Sequence, residues 1–213
     1  MRTVSQIYFR IVILVLILDA CKDNSAPKGF YISKIVPTIK DIYQIKRLND
    51  SLEYKSSYSD IILSNKDKRS SDVVMTIFEN DTLSEFQKLK VYSTFDETYF
   101  EGKNNELQSK KNDTLLVYID NFDGYSSEGV KIKIFKNFYK IEHLVRSDII
   151  YREKPFEKTI VKSTYLELDK DKYSVNDSIY GKIKCEYNYT RGTTKQSIKL
   201  SGFFRTKVKQ NLF

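Results

Sequence analysis

Several residue types are scarce in this 213-residue chain, which has no tryptophan, one histidine, two cysteines, three prolines and seven glycines. Zinc sites need several His and Cys ligands, so the scarcity of both argues against a zinc protein. The hydrolase elbow Gly-x-Ser-x-Gly, the metalloprotease motif His-Glu-x-x-His and a phosphate-binding glycine loop are also missing. We therefore expect no metal, no cofactor and no catalytic residue. The lone histidine, His143, is expected to be structural.

Long apolar runs are also missing beyond the first 20 residues, where no stretch approaches the roughly 18 residues that a membrane-spanning helix needs. The chain is 40% hydrophobic and 14% aromatic, which is enough to build a core. Its formal net charge is +8, but lysines and acidic residues are interleaved in segments such as 64–72 and 168–174. We expect this mixing to dilute any single-sign field, and we predict no nucleic-acid partner.

The first 20 residues have the three parts of a secretory signal peptide. Arg2 and Arg10 supply the basic region, residues 11–18 the apolar region, and Ala20 a small residue before a cleavage point. An apolar region this short does not span a bilayer as a lasting helix. The predicted organisation is a signal peptide at 1–20, a polar tether at 21–29 and a β-rich domain at 30–213.

The sequence Leu18-Asp19-Ala20-Cys21 resembles the lipobox of bacterial lipoproteins. In that family the cysteine thiol is diacylglycerylated, the signal is cut just before it, and the new N-terminus is usually acylated. Asp19 stands where family members mostly carry Ser, Thr, Ala or Val. The resemblance implies that Cys21 carries the lipid, with acyl chains such as palmitate, and that the protein is anchored to the bacterial outer membrane. Its position would be on the periplasmic face or at the cell surface.

The residues after the lipobox allow two interpretations. Residues 22–27 are polar and are typical of a flexible tether. Lys22-Asp23 also resembles part of the acidic export signal of surface lipoproteins, in which a second acidic residue would stand at Asn24. With Cys21 lipidated, Cys185 has no partner for an intramolecular disulfide, and its alternating context predicts a buried strand cysteine.

Most of the mature chain alternates apolar and polar residues with period two, the pattern of a half-buried strand. The clearest segments are 130–144, 178–189 and 197–208, with a turn or bulge at Lys136-Asn137 and a hairpin connection at 190–194. Their predicted inward residues are Val130, Ile132 and Ile134, then Ile179, Ile183, Cys185, Tyr187 and Tyr189, then Ile198, Leu200 and Phe204. Further strands are predicted at 60–63, 73–78, 89–95, 114–119 and 159–168.

Helical patterns are few. Residues 82–90 place apolar residues three apart, so a short helix competes with a loop there. The segment after Pro37 is similarly ambiguous, with Ile39, Ile42, Tyr43 and Ile45 suiting a helical face. The fold class is therefore all-β and mainly antiparallel, with a β-sandwich, immunoglobulin-like or similar, as the expected architecture. The polar stretch 102–112 is the best internal boundary, so two small sandwich modules are an alternative.

The pattern Asn-Asp-Ser/Thr-Leu/Ile occurs four times, starting at Asn49, Asn80, Asn112 and Asn176. Asn and Asp side chains bond to the backbone that follows, so each copy predicts a turn that starts a strand. A structural repeat is a second interpretation. The pattern also resembles the O-glycosylation acceptor of exported proteins in some Gram-negative bacteria. That resemblance implies Ser51, Thr82, Thr114 and Ser178 as acceptors.

Acidic residues are the remaining candidates for chemistry. Asp120, Asp123 and Glu128 surround Gly124 loosely as in a calcium loop, but without the EF-hand register, so an acidic hairpin turn is the simpler interpretation. We expect a non-enzymatic, lipid-anchored binding or accessory protein, held to the membrane by its lipid, with a protein or glycan partner. The alternatives are a small glycan-processing hydrolase that uses two carboxylates, and a structural envelope component.

Overall fold

The structure, a computed structural model, describes residues 29–49, 70–101, 107–121, 126–147 and 156–209. This part of the chain is mostly strand, with a 3-10 turn at Pro37–Asp41 and a short helix, α1, at Tyr43–Lys46. The strands are β1 Tyr31–Ile32, β2 Lys34–Ile35, β3 Val74–Glu79, β4 Thr82–Lys88, β5 Lys90–Glu101, β6 Leu107–Asp120, β7 Ser126–Phe135, β8 Phe138–Ser147, β9 Glu157–Leu168, β10 Ser178–Arg191 and β11 Thr194–Lys209.

All of these strands belong to one mixed sheet that curls almost into a closed cylinder. Its order is β1-β8-β7-β6-β5-β11-β10-β9-β2, and β3 and β4 continue from the first half of β11. The two ends of this order, β1 and β2, follow each other in the chain, so residues 31–35 bridge the gap between β8 and β9. The predicted all-β, mainly antiparallel fold is confirmed, and the pairs β5–β11 and β2–β9 are parallel.

Two walls of this sheet enclose the core. We call β1, β8, β7, β6 and β5 the β7 wall, and β4, β3, β11, β10, β9 and β2 the β10 wall. Strand side chains alternate between the two faces of a sheet, and apolar residues of both walls meet in one buried cluster. The predicted inward residues of β7, β10 and β11 all belong to that cluster.

Strand β11 connects the two walls. Along its length it pairs with β10, its first half also pairs with β3, and Val208 and Lys209 pair with β5. The partner changes at Gly202, where a Cβ would lie 2.5 Å from Val73 Cα. Glycine is therefore required where the chain before β3 passes close to β11.

The strand predictions at 73–78, 89–95, 114–119 and 159–168 are confirmed in position, although β5, β6 and β9 are longer than predicted. Residues 107–111 pair with 97–101 as a continuation of the β5–β6 hairpin. The possible division of the chain near 102–112 stays a prediction. The predicted strand at 60–63 lies outside the described residues.

The segment 82–90 forms neither the helix nor the loop that its spacing suggested. It contains strand β4, which pairs with β3 with a bulge between Ile77 and Phe78. Leu83 and Phe86, the residues behind the helical pattern, are exposed on β4. Pairing with β3 outweighs the local periodicity here. The two-residue turn brings β4 beside β3, and β3 then supplies the backbone hydrogen-bond partners of β4.

After Pro37, where the pattern was ambiguous, the chain forms two short helical pieces, the 3-10 turn and α1, separated by Ile42 in an extended conformation. Ile39 and Ile45 are buried, whereas Tyr43 is exposed. The segment lies against β9, β10 and β11, and Arg205 donates a hydrogen bond to the Leu48 carbonyl. No helix among the described residues is long and apolar enough to cross a membrane.

The Asn-Asp patterns form different local structures. Asn80 and Asp81 both have positive φ angles, 50° and 61°, and make the two-residue turn between β3 and β4. Asn176 has a φ of 73°, and the Asp177 carboxylate accepts a hydrogen bond from the Ser174 amide. The turn predicted at residues 112–113 is wrong, because both residues lie inside β6. Asn49 is described, but the rest of its pattern lies outside the described residues.

Close packing at Gly181 generates the first testable prediction. A Cβ at this position on β10 would overlap the ring of Phe204, which is fully buried and paired opposite on β11. We expect Gly181→Ala to lower the free energy of unfolding by about 1–3 kcal/mol, as overpacking a core does. Urea unfolding followed by far-UV circular dichroism measures it. Ser201→Ala, at an exposed outward position of β11, is the control, and equal midpoints for the two variants would refute the close contact.

Candidate functional site

The predicted modification sites fall in different places. Cys21 and Ser51 lie outside the described residues. Thr82 is exposed at the start of β4, Thr114 is half-buried within β6, and Ser178 is half-buried at the start of β10. Their O-glycosylation stays a prediction, and among these three the exposed Thr82 is the acceptor an enzyme could reach most easily.

The single histidine sits in a buried polar cluster between the two walls. The His143 side chain, on β8, has no exposed surface, and its Nδ1 lies 2.9 Å from the hydroxyl oxygen of Tyr187 on β10. Its ring lies against that of Tyr189, with centroids 3.8 Å apart. The remaining nitrogen, Nε2, is 3.5 Å from a carboxylate oxygen of Glu128 on β7, which is long for a hydrogen bond.

Burial determines one proton position in this cluster. Burial raises the pKa of Tyr187 well above its usual value, so its hydroxyl keeps its proton. A protonated hydroxyl can donate a hydrogen bond to Nδ1 or accept one from it, according to the imidazole tautomer. Tyr187 is itself fully buried, so this arrangement presents no nucleophile to solvent. In the described structure the His143–Tyr187 hydrogen bond connects β8 and β10.

Cys185 is a free, buried cysteine on β10, as predicted. Burial raises the pKa of its thiol to about 12, against a smaller lowering effect of a hydrogen bond with Thr164. The thiol therefore stays protonated at neutral pH, and a protonated thiol is a poor nucleophile and metal ligand.

The acidic residues near the β6–β7 connection do not converge. Asp120 lies on the outer side of β6, where its carboxylate accepts a hydrogen bond from the Tyr92 hydroxyl, 3.3 Å away. Glu128 faces inward, towards His143. Asp123 lies outside the described residues. Among the residues that the structure describes, no group of three or more His, Cys, Asp or Glu side chains is arranged to hold a metal ion.

The most distinctive surface is the outer side of the β10 wall, which we call the basic face. Alternation places Lys182 and Lys184 of β10 and Lys199 of β11 on this side, with Lys199 opposite Glu186 in the strand register. The only acidic side chains pointing outward from β3, β4, β9, β10 and β11 in the described ranges are Glu167 and Glu186. The basic side chains there are Lys88, Lys158, Lys162, Lys182, Lys184, Lys195, Lys199, Arg205 and Lys207.

Aromatic rings on the same face hold some of these cations in place. Lys182 Nζ lies 5.5 Å from the centre of the Phe203 ring, and Lys199 Nζ lies 5.4 Å from that of Phe78. Such cation–π contacts contribute about 0.5–1 kcal/mol each at exposed sites. Unlike an ion pair with a carboxylate, they leave the net positive charge of the face unchanged.

Apolar side chains flank the basic face on both sides. On the β4 side, Leu83 is 58% exposed and Phe86 is 61% exposed. On the β9 side, Ile160 is 50% exposed and Tyr165 is 39% exposed. Large apolar side chains in two groups around a charged centre are characteristic of a contact surface.

The outer side of the β7 wall provides a contrast. There Glu142 lies 3.0–3.2 Å from the ammonium groups of Lys131, Lys133 and Lys140, so the lysines share a carboxylate. Burial alone would raise the pKa of Glu142, but the three lysines together lower it to about 2. Tyr92 and Tyr118 stack nearby, with centroids 4.7 Å apart, under the Arg146 guanidinium. The three lysines of this cluster are thus held around one carboxylate, whereas no ion pair to a described carboxylate joins Lys182, Lys184 or Lys199 of the basic face.

The basic face is the feature that sequence reasoning missed. The expected dilution of charge is wrong for this surface, because the pleat of β10 and β11 sorts their lysines to one side. Segment 168–174, in which charges mix, lies mainly in the connection between β9 and β10. The signal was the period-two spacing of Lys182 and Lys184 inside a predicted strand, together with Lys199 at an outward position of the next one.

A test of the buried cluster uses Tyr187→Phe. Removing the hydroxyl leaves His143 Nδ1 buried without its partner, so we expect the free energy of unfolding to fall by about 1–3 kcal/mol. Chemical denaturation at neutral pH measures this change. Tyr165→Phe, which removes an exposed hydroxyl that donates to Glu167, is the control and should change stability little. Equal effects of the two variants would show that the His143–Tyr187 bond adds nothing.

The lysine cluster around Glu142 predicts a pH dependence of stability. Its folded-state pKa of about 2 lies below the usual 4.5, so the stabilisation is complete above about pH 4.5 and is lost as the pH falls towards 2. We expect Glu142→Gln to lower stability by about 1–2 kcal/mol at neutral pH and to flatten the pH profile between those values. Denaturant midpoints across that range measure it. Glu186→Gln, whose carboxylate pairs with Lys162 alone among the described lysines, should leave the profile nearly unchanged.

The geometry thus offers one buried polar cluster and one exposed basic face. The His143–Tyr187 contact is buried, although the Glu128 side chain is 26% exposed, whereas the face combines an excess of positive charge with aromatic rings and apolar flanks. The function is accordingly inferred from these surfaces. Comparison with family models, with curated proteins and with solved structures found no match.

Proposed function

We propose that this chain is a lipid-anchored, non-enzymatic binding or accessory protein of the bacterial outer membrane, facing the periplasm or the outside. In this proposal Cys21 carries the lipid and the β-rich domain does the binding. We also propose that the domain has an immunoglobulin-like sandwich form, that its partner is a protein or a glycan, and that it has no nucleic-acid partner.

The anchor is supported by the sequence at residues 1–29. A basic start, a short apolar stretch and Leu18-Asp19-Ala20-Cys21 occur in the order of a lipoprotein signal. The polar residues after Cys21 then lead to β1 at Tyr31. A lipid with two or more acyl chains holds a protein stably to a bilayer, whereas a single chain does so marginally.

The observation that carries the binding role is the basic face. Lys182, Lys184 and Lys199 are exposed or half-exposed, make no ion pair with a carboxylate among the described residues, and share the wall with exposed apolar side chains. A surface of this kind favours association with a partner over catalysis, because it offers charge and contact area without a cleft of titratable groups.

The hydrolase alternative requires a carboxylate with a raised pKa next to a second carboxylate. The described carboxylates with shifted pKa values, Glu142 and Asp177, are both shifted down, because lysines lie beside them. These shifts fit structural ion pairs and do not favour the alternative.

The anchor is tested by Cys21→Ala in the native host. Without the thiol no lipid can be attached, so we expect the variant to leave the membrane fraction and to move from the detergent phase to the aqueous phase on detergent partitioning. Cys185→Ala, which removes the buried thiol, is the control and should stay in the detergent phase. Detergent-phase partitioning of Cys21→Ala equal to that of the wild type would contradict the lipoprotein proposal.

A further inference from the structure

We infer that the basic face binds the phosphate groups of anionic lipids, so that the β10 wall lies against the membrane that holds the lipid anchor. This inference rests on the proposed function and adds to it the partner and the orientation of the domain. Its occupant is a lipid headgroup layer, because the charge and the apolar contacts lie on the same surface and the tether keeps that surface within reach of the bilayer.

The charge of the face suits a plane of phosphates. Adjacent strands of a sheet lie about 4.8 Å apart, and alternate residues of one strand about 7 Å apart, so Lys184 lies next to Lys182 along β10 and diagonally across from Lys199 on β11. Glu186 stands opposite Lys199 and Glu167 opposite Lys182, but lysines outnumber carboxylates on this side of the wall. Lys184 is exposed, and opposite it stand Ser201 of β11 and Tyr165 of β9, neither of which carries a formal charge. Several cations on one side of a domain attract it to an anionic bilayer over about a Debye length.

The apolar flanks suit the layer beneath the phosphates. Leu83 and Phe86 on one side, and Ile160 and Tyr165 on the other, are large side chains that point out of the same wall as the lysines. At a membrane interface such residues enter the boundary between headgroups and acyl chains, while lysine ammonium groups stay with the phosphates. A soluble anion would use the lysines and leave these four side chains in water.

The tether reaches the domain where the two walls meet. It leads first to β1, which pairs with β8 of the β7 wall, and then to β2, which pairs with the last residues of β9. Lys34 of β2 lies 3.4 Å from Glu167 on the outer side of the β10 wall. The eight residues from Lys22 to Gly29 span at most about 28 Å when fully extended, so a lipid on Cys21 keeps the domain within reach of the bilayer and leaves the choice of wall to the charge and the apolar contacts.

The absence of tryptophan allows a direct test of orientation. One reporter, Ser201→Trp, stands in the centre of the basic face at an exposed position. The matched reporter, Leu144→Trp, stands on the outer side of the β7 wall, opposite Gly129. Each full-length lipidated protein is reconstituted into vesicles of brominated phosphatidylcholine, either alone or mixed with phosphatidylglycerol, and quenching of the single tryptophan by bromine is measured.

We expect strong quenching of the reporter at position 201 in the mixed vesicles, less in phosphatidylcholine alone, and little quenching at position 144 in either. Replacing Lys182, Lys184 and Lys199 by Gln should lower the ratio of docked to free domain about 100-fold, since each basic residue near an anionic surface contributes about 1 kcal/mol. The control replaces Lys90, Lys133 and Lys140, on the β7 wall, by Gln. It removes the same charge and should leave the quenching unchanged.

The outcomes separate the two proposals. Protein that fails to stay with the vesicles would refute the lipid anchor. Protein that stays with them but shows equal quenching at positions 201 and 144 would overturn the orientation and leave the anchor intact. In a competition experiment, a single-stranded oligonucleotide is added at a total charge equal to that of the phosphatidylglycerol. Loss of the quenching would show that the face prefers nucleic acid and would also overturn the inference. Persistent quenching in its presence supports it.

Discussion

The structure depends on hydrogen bonds to the backbone of β11 along both of its edges. A strand in the middle of a sheet must find a partner for each buried amide and carbonyl, because an unpaired buried group costs about as much as a lost hydrogen bond. β11 meets this demand with β10 on one edge and with β3, residues 70–72 and then β5 on the other. The curvature that brings the β7 wall over the β10 wall follows from this change of partner, and so does the enclosed core.

Much of this fold is predictable from local patterns, since a side-chain period of two decides which residues point inward. The inward residues of β7, β10 and β11 and the hairpin turn at Gly192 are examples, because each is fixed by its own strand or turn. Strand pairing over long distances is different. Nothing in the residues around Val208 indicates that they pair in parallel with Ser93, because that pairing depends on how the rest of β11 has already been placed.

The candidate surfaces are also predictable only where they depend on local patterns and not on long-range strand pairing. A strand assignment puts Lys182 and Lys184 on one side, but the basic face also needs β11 next to β10 and β3 next to β11, which is a matter of topology. The contact between His143 and Tyr187 likewise joins strands from opposite walls, so their spacing in sequence carries no sign of it. In the case of β4, the local sequence pattern was misleading. Its apolar residues are spaced three apart as in a helix, but the segment is a bulged edge strand on which Leu83 and Phe86 are exposed.

The position of Cys185 has a consequence for how the chain must be made. In an exported protein, a thiol is protected from oxidation only after the strands around it have assembled. Cys185 pairs opposite Thr164 of β9 on one side and Leu200 of β11 on the other. Assembly of these three strands therefore ends the interval during which two molecules can become linked through this sulfur, because the thiol is buried once β10 lies between its neighbours.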